Sequence, residues 1–171
     1  LEVPYASTVY AEEEIHAVLE VLKDPKKIVS GPRVEAFEQQ VAGLFGKTKG
    51  VMVNSGSSAN LIAVEVLDIP EGSEAITPAL TFSTTVAPLI QKRLVPVFVD
   101  VKPGTYLIDV DQIESRITEK TKLLMIPSLL GNIPDMKRLQ EIAEKHGLYI
   151  IEDSCDTLGP EFDGRPTGAY S

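Results

Sequence analysis

Stretches with helical and strand periodicity alternate along most of this chain, and the connections between them are short. That rhythm leaves few folds open. Residues 11–23 place Ile15, Val18, Leu19 and Leu22 on one helical face. Residues 32–45 do the same with Val34, Phe37, Val41, Leu44 and Phe45, with Pro32 in the first turn and Gly46 just past the end. Val51-Met52-Val53 predicts a short strand, residues 54–58 a turn, and a helix follows to about Leu67. Strands are then predicted at 74–77, 95–101, 122–127 and 148–152. Helices are predicted between them at 83–92, 111–117 and 135–146. The last of these turns Met136, Leu139, Ile142 and Ala143 inward and stops at Gly147. Alternation of this kind builds βαβ units. The fold class is therefore α/β, a mostly parallel sheet with helices on both faces.

No repeat, low-complexity tract or linker divides the chain, so residues 1–171 read as one piece of one domain. Residues 153–171 bring Gly159, Gly164 and Gly168 but no pattern that closes a fold. The expectation is a part of a longer polypeptide.

Charge narrows the partners. Asp and Glu number 25 against 16 Lys and Arg, a net charge of -9. A general nucleic-acid binder needs a basic surface, so that class is set aside, although one local anion pocket is not. No apolar run approaches the ~20 residues that span a bilayer. Residues 1–20 hold five acidic side chains and no Lys or Arg, the reverse of a secretory leader. A single cysteine, Cys155, provides no intramolecular disulfide and suits a reducing compartment. The expectation is a cytoplasmic chain with no membrane contact.

In a parallel sheet, ligands collect at the carboxyl ends of the strands. Three groups of residues fall there. Asn54-Ser55-Gly56-Ser57-Ser58-Ala59-Asn60 is a small-residue turn that opens a helix. It reads either as an anion cup or as an ordinary serine cap. It lacks the Gly-Lys-Ser/Thr end of a Walker loop and the spaced glycines of a dinucleotide fold. Thr81-Phe82-Ser83 offers an aromatic that either stacks on a flat ring or fills the core or rim. Glu152-Asp153-Ser154-Cys155-Asp156 sets carboxylates after a buried strand, to hold a protonated ring nitrogen or to cap a turn. Cys155 reads as a small buried residue with no sign of an activated thiolate. His16 and His146 have no metal-ligand spacing, and His146 reads as a partner of its helix end. Taken together, an anion cup, an aromatic and a carboxylate suit a ligand with a phosphate, a flat ring and a ring nitrogen. Pyridoxal 5′-phosphate has all three.

At these residues the sequence resembles the DegT/DnrJ/StrS sugar aminotransferases, which share the aspartate-aminotransferase fold (PLP fold type I). The resemblance runs through Ser30-Gly31-Pro32, Asn54-Ser55-Gly56-Ser57-Ser58-Ala59, Pro78-Ala79-Leu80-Thr81-Phe82, Pro96-Val97-Phe98-Val99-Asp100 and Ile151-Glu152-Asp153. It implies that Ser57 and Ser58 hold the cofactor phosphate, that Phe82 stacks on the ring, and that Asp153 pairs with the ring nitrogen. Asp156 stands where the aminotransferases usually carry Gln near the ring hydroxyl. Leu129-Leu130-Gly131-Asn132 also departs from aminotransferase wording. Both departures resemble the nucleotide-sugar C3-dehydrases of dideoxyhexose formation, a branch in which histidine replaces the cofactor-binding lysine and pyridoxamine phosphate is the working form. A transaminase, or a non-catalytic regulator of the same family, is the alternative.

The resemblance further implies a nucleotide-linked 4-keto-sugar substrate, a homodimer, and a deciding Lys or His beyond Ser171. The small C-terminal domain, and the iron–sulfur cluster that some of these dehydrases carry, would also lie there. Residues 1–171 would then be the N-terminal part of the large cofactor-binding domain, inactive alone.

Overall fold

The computed structural model describes residues 7–24, 26, 28 and 31–171. Ser30, which opens the Ser30-Gly31-Pro32 motif, lies outside the described residues. Four strands form one parallel sheet: β1 (Glu74–Pro78), β2 (Val95–Val99), β3 (Thr121–Pro127) and β4 (Tyr149–Asp153), in the order β2-β1-β3-β4. Five α-helices are described: α1 (Glu12–Leu22), α2 (Pro32–Leu44), α3 (Gly56–Glu65), α4 (Ser83–Gln91) and α5 (Met136–His146).

The period of two along each strand decides what each face covers. Ile76, Leu124 and Ile126 point to the side where α5 buries Met136, Leu139 and Ile142, together with Val99 and Ile113. Ala75, Leu123 and Met125 point the other way, onto Val64 of α3 and Leu89 of α4. Helices thus cover both faces, as the alternation predicts. This is why β3 reads as a nearly continuous apolar run, Leu123 to Pro127, and why β1 is buried from Ala75 to Pro78.

Local signals set the helix ends. Asp135 caps α5 by accepting the Arg138 N–H at 3.0 Å, and Gly147 ends it in the left-handed region at φ 64. Glu114 contacts Arg138, Lys145 and His146 at 3.0, 2.7 and 3.2 Å and so ties the last turns of α5 to the segment before β3. Within α4, Pro88 has no N–H to give the Thr84 carbonyl one turn earlier.

Five expectations need correction. Val51-Met52-Val53 forms no strand; Val51 and Met52 are exposed, and the Met52 N–H goes to Glu38 Oε1 at 2.7 Å. A strand requires a ladder partner, and no described strand runs beside this segment. Residues 111–117 form two short 3₁₀ turns, Val110–Gln112 and Glu114–Arg116, because so short a segment cannot offset the cost of nucleating an α-helix. The strand predicted to Val101 ends at Val99, and Val101 makes only an isolated antiparallel bridge to Ile108. Beyond β4 a small antiparallel hairpin forms from β5 (Glu161–Phe162) and β6 (Arg165–Pro166). Tyr170 holds it, packing edge-on against Phe162 at 5.7 Å with Arg165 4.4 Å over its ring. Finally, the apolar face of α1 has the predicted period, yet Val18 and Leu22 remain exposed among the described residues.

Candidate active site

The chain passes from β1 to β2 on one side and returns to β3 on the other, so the winding reverses between β1 and β3. The crevice at the carboxyl ends of strands beside such a reversal is where open α/β sheets bind ligands. A cavity of about 520 Å³ lies there. It is walled by the loop after β1, the turn after β3, the loop after β4 and the start of α3.

Ser57, Phe82, Asp153 and Asp156 all line this cavity. Phe82 caps the start of α4 and is 70% exposed, which excludes the core reading and leaves an uncovered ring at the rim. Ser55 is the N-cap of α3, its hydroxyl accepting the Ser58 N–H at 3.2 Å. Ser58 is not a lining residue; its hydroxyl sits 3.2 Å from that of Ser55. The cap reading and the cup reading therefore coexist. Ser55 satisfies one amide, while the Gly56 and Ser57 amides in the first turn have no acceptor within the helix.

Asp153 ends β4 and is buried. Its Oδ2 accepts from Asn60 Nδ2 at 2.8 Å and from Thr85 Oγ1 at 2.9 Å. Its Oδ1 accepts the Cys155 N–H at 3.3 Å. Burial pushes this carboxyl upward, but the hydrogen bonds from Cys155, Asn60 and Thr85 outweigh it and hold the group below its ordinary value. The carboxylate is therefore ionised at neutral pH. Asp156 Oδ2 accepts the Leu130 N–H at 3.1 Å across the turn after β3.

Cys155 is exposed as a residue, not buried as the sequence suggested. Its sulfur nonetheless lies against the start of α3, 3.1 Å from where a Cβ on Gly56 would sit. That burial of the sulfur, and the neighbouring carboxylates of Asp153 and Asp156, push the thiol up to about 12. Its charge state matches the expectation of an unactivated thiol.

Sequence reading missed Thr85 and Ser128, and it included Asn60 and Thr81 in its candidate motifs without giving either a role. Ser128 Oγ and Thr81 Oγ1 are buried without a hydrogen-bond partner among the described residues, and both residues line the cavity. One signal was available for Asn60: an asparagine on the inward side of a helix needs partners, and Pro88 advertises an unpaired carbonyl.

The donor set fits a pyridoxal or pyridoxamine phosphate. Free helix-terminal amides and the Ser57 hydroxyl suit a phosphate, unpartnered hydroxyls suit ring substituents, and a buried ionised carboxylate suits a cationic ring N–H. Comparison with known proteins agrees with that chemistry. Residues 9–171 match the DegT/DnrJ/EryC1/StrS aminotransferase family. The chain belongs to that family. Its fold class is accordingly that of the aspartate-aminotransferase-like, PLP type I proteins.

Among relatives of this DegT/DnrJ/EryC1/StrS chain is a dTDP-4-dehydro-2,6-dideoxy-D-glucose 3-dehydratase of Saccharopolyspora spinosa. It is 42% identical over 152 residues, 84% of this chain and 33% of the relative. A UDP-N-acetyl-3-dehydro-alpha-D-glucosamine 3-aminotransferase of Acidithiobacillus ferrooxidans is 34% identical, covering 92% of this chain and 43% of the relative. The structure of an E. coli GDP-4-keto-6-deoxy-D-mannose-3-dehydratase with bound hydrated PLP superimposes with a TM-score of 0.88 at 33% identity. That match covers 96% of this chain and 43% of the other. The chain spans less than half the length of these relatives.

Proposed function

We propose that this chain is the N-terminal part of the cofactor-binding domain of a pyridoxal/pyridoxamine-phosphate enzyme. Its substrate would be a nucleotide-linked 4-keto-6-deoxy sugar, and its reaction the loss of the C3 hydroxyl. The observation that carries the reading is the convergence of Ser57, Phe82 and Asp153 on one cavity at the sheet's winding reversal. When bound, the cofactor supplies a protonated ring that accepts electrons from the reacting carbon.

The residues present have definable tasks. The α3 amides and Ser57 would hold the phosphate, Phe82 would cover one ring face, and Asp153 would keep the ring nitrogen protonated. Asp156 is engaged with the Leu130 N–H and so shapes the turn beside the ring as well as lining the cavity. The 42% identity to a sugar 3-dehydratase favours dehydration over amino transfer. The residue that moves the proton, Lys or His, would lie beyond Ser171, as would any iron–sulfur ligands. A cytoplasmic homodimer completes the proposal.

Absorbance spectra and turnover of the full-length protein test it. Binding of pyridoxamine phosphate, with release of a 3-deoxy product from a nucleotide 4-keto-6-deoxy sugar, is the expected result. An amino-sugar product would establish the transaminase instead, and failure to bind either cofactor form would leave a non-catalytic family member.

A further inference from the structure

Asn60 is only 6% exposed, and both hydrogens of its side-chain amide are committed. One goes to Asp153 Oδ2 at 2.8 Å and one to the Thr84 carbonyl at 3.3 Å. Both partners are pure acceptors, so the nitrogen rather than the oxygen of the amide must face them. The Thr84 carbonyl is available because Pro88 cannot bond it. Asn60 therefore joins three elements, α3, α4 and β4, at one buried point.

Asn60 also lies three residues after Ser57 in α3, which puts both side chains on the same face of one rigid helical turn. Ser57 lines the cavity at the helix start, and Asn60 grips the carboxylate at the end of β4. The distance between the phosphate cup and the Asp153 carboxylate is thus set by helix geometry, not by loops. Thr85 adds a second donor to the same oxygen. Oδ2 is taken twice, and Oδ1 meets the Cys155 N–H at 3.3 Å, the longest of these three contacts, while the Cys155 side chain also hydrogen-bonds the carboxylate; the remaining capacity is on Oδ1.

We infer that Asn60 is a positioning residue: it fixes the Asp153 carboxylate, ionised and in register with the α3 amides, to receive a cationic ring N–H of a phosphorylated ligand. This inference rests on the cofactor reading above and adds the residue that aligns the two ends of its site. Among the described residues, the titratable groups around Asp153 are the Cys155 thiol, protonated throughout the working range, and Asp156 beyond it. Asn60 itself cannot titrate, so its grip does not change with pH.

Two substitutions in the full-length protein test this, Asn60→Leu and Asn60→Asp. Leucine keeps the volume and removes both donors. Aspartic acid restores one donor only while it is protonated, since two adjacent carboxylates cannot both ionise cheaply. Pyridoxamine phosphate affinity should fall about tenfold in Asn60→Leu at every pH, while affinity for inorganic phosphate is unchanged. In Asn60→Asp it should approach wild type at low pH and fall as pH rises. A ¹³C titration of the Asp153 carboxyl in the ligand-free protein gives an independent readout, expected to move upward in Asn60→Leu. Unchanged pyridoxamine phosphate affinity in Asn60→Leu, equal pH profiles for the two variants, or inorganic phosphate weakened in step with the cofactor would overturn the inference. Wild-type protein that binds no cofactor would defeat the functional reading, and an unmoved Asp153 titration would then defeat the clamp as well.

Discussion

Asp156 Oδ2 accepts the Leu130 N–H at 3.1 Å, and Leu130 sits at φ 55, ψ 32. A leucine in the left-handed region costs about 1–2 kcal/mol, so something must hold it there. The carboxylate does so from 26 residues away in sequence, and both residues line the cavity. The carboxylate thus ties together the two segments, 129–132 and 156, that stand out in the sequence. Asp156→Ala should cost about 1 kcal/mol in thermal or denaturant unfolding. Leu130→Gly should recover more in that background than in wild type, a coupling that a double-mutant cycle measures.

Phe82 separates site from core. Because it is 70% exposed, Phe82→Ala should change stability by less than about 0.5 kcal/mol. Loss of the stacking face should nonetheless weaken pyridoxamine phosphate binding by roughly three- to tenfold in a calorimetric titration. A large drop in melting temperature would assign Phe82 to packing.

Asp153 makes stability depend on pH with a definite sign. Its folded pKa is lowered, so its contribution is fully present above the unfolded carboxyl value, about 3.9, and is lost as pH falls through the folded one. Asp153→Asn should flatten that acid limb of the unfolding curve. Under the proposed function, the full-length protein with this substitution should keep the fold and lose most turnover, because a neutral amide would no longer hold the ring nitrogen protonated. Retention of wild-type turnover would contradict the role.

Cys155 should be inert although exposed. With its thiol pushed up to about 12, only about one molecule in 10⁴ is thiolate at pH 8. Alkylation by iodoacetamide, followed by mass spectrometry, should be at least tenfold slower in native than in denatured protein. Asp153→Asn removes one of the neighbouring charges and should speed it.

How far the sequence reaches depends on the range of the forces involved. Strand and helix placement follows from side-chain period and end signals such as Asp135, Gly147 and Pro32, all interactions within one turn. The parallel α/β class follows from their alternation. The segments that carry the cavity residues Ser57, Phe82, Asp153 and Asp156 stand out because they lie where chains leave strands or enter helices, and the family resemblance picks out the individual residues. Long-range contacts decided the rest. Val51-Met52-Val53 has strand composition but no ladder partner among the described residues, and strand formation is a pairwise property. Residues 111–117 take 3₁₀ turns because so short a segment does not offset helix nucleation, while Ile113 is buried in the core and Asp109 caps the first turn. Asn60 and Asp153 are 93 residues apart, and no local period announces that one will grip the other. Only the packing of α3, α4 and β4 brings an amide, a carbonyl freed by proline and a carboxylate to one largely buried point, where groups withdrawn from water need partners.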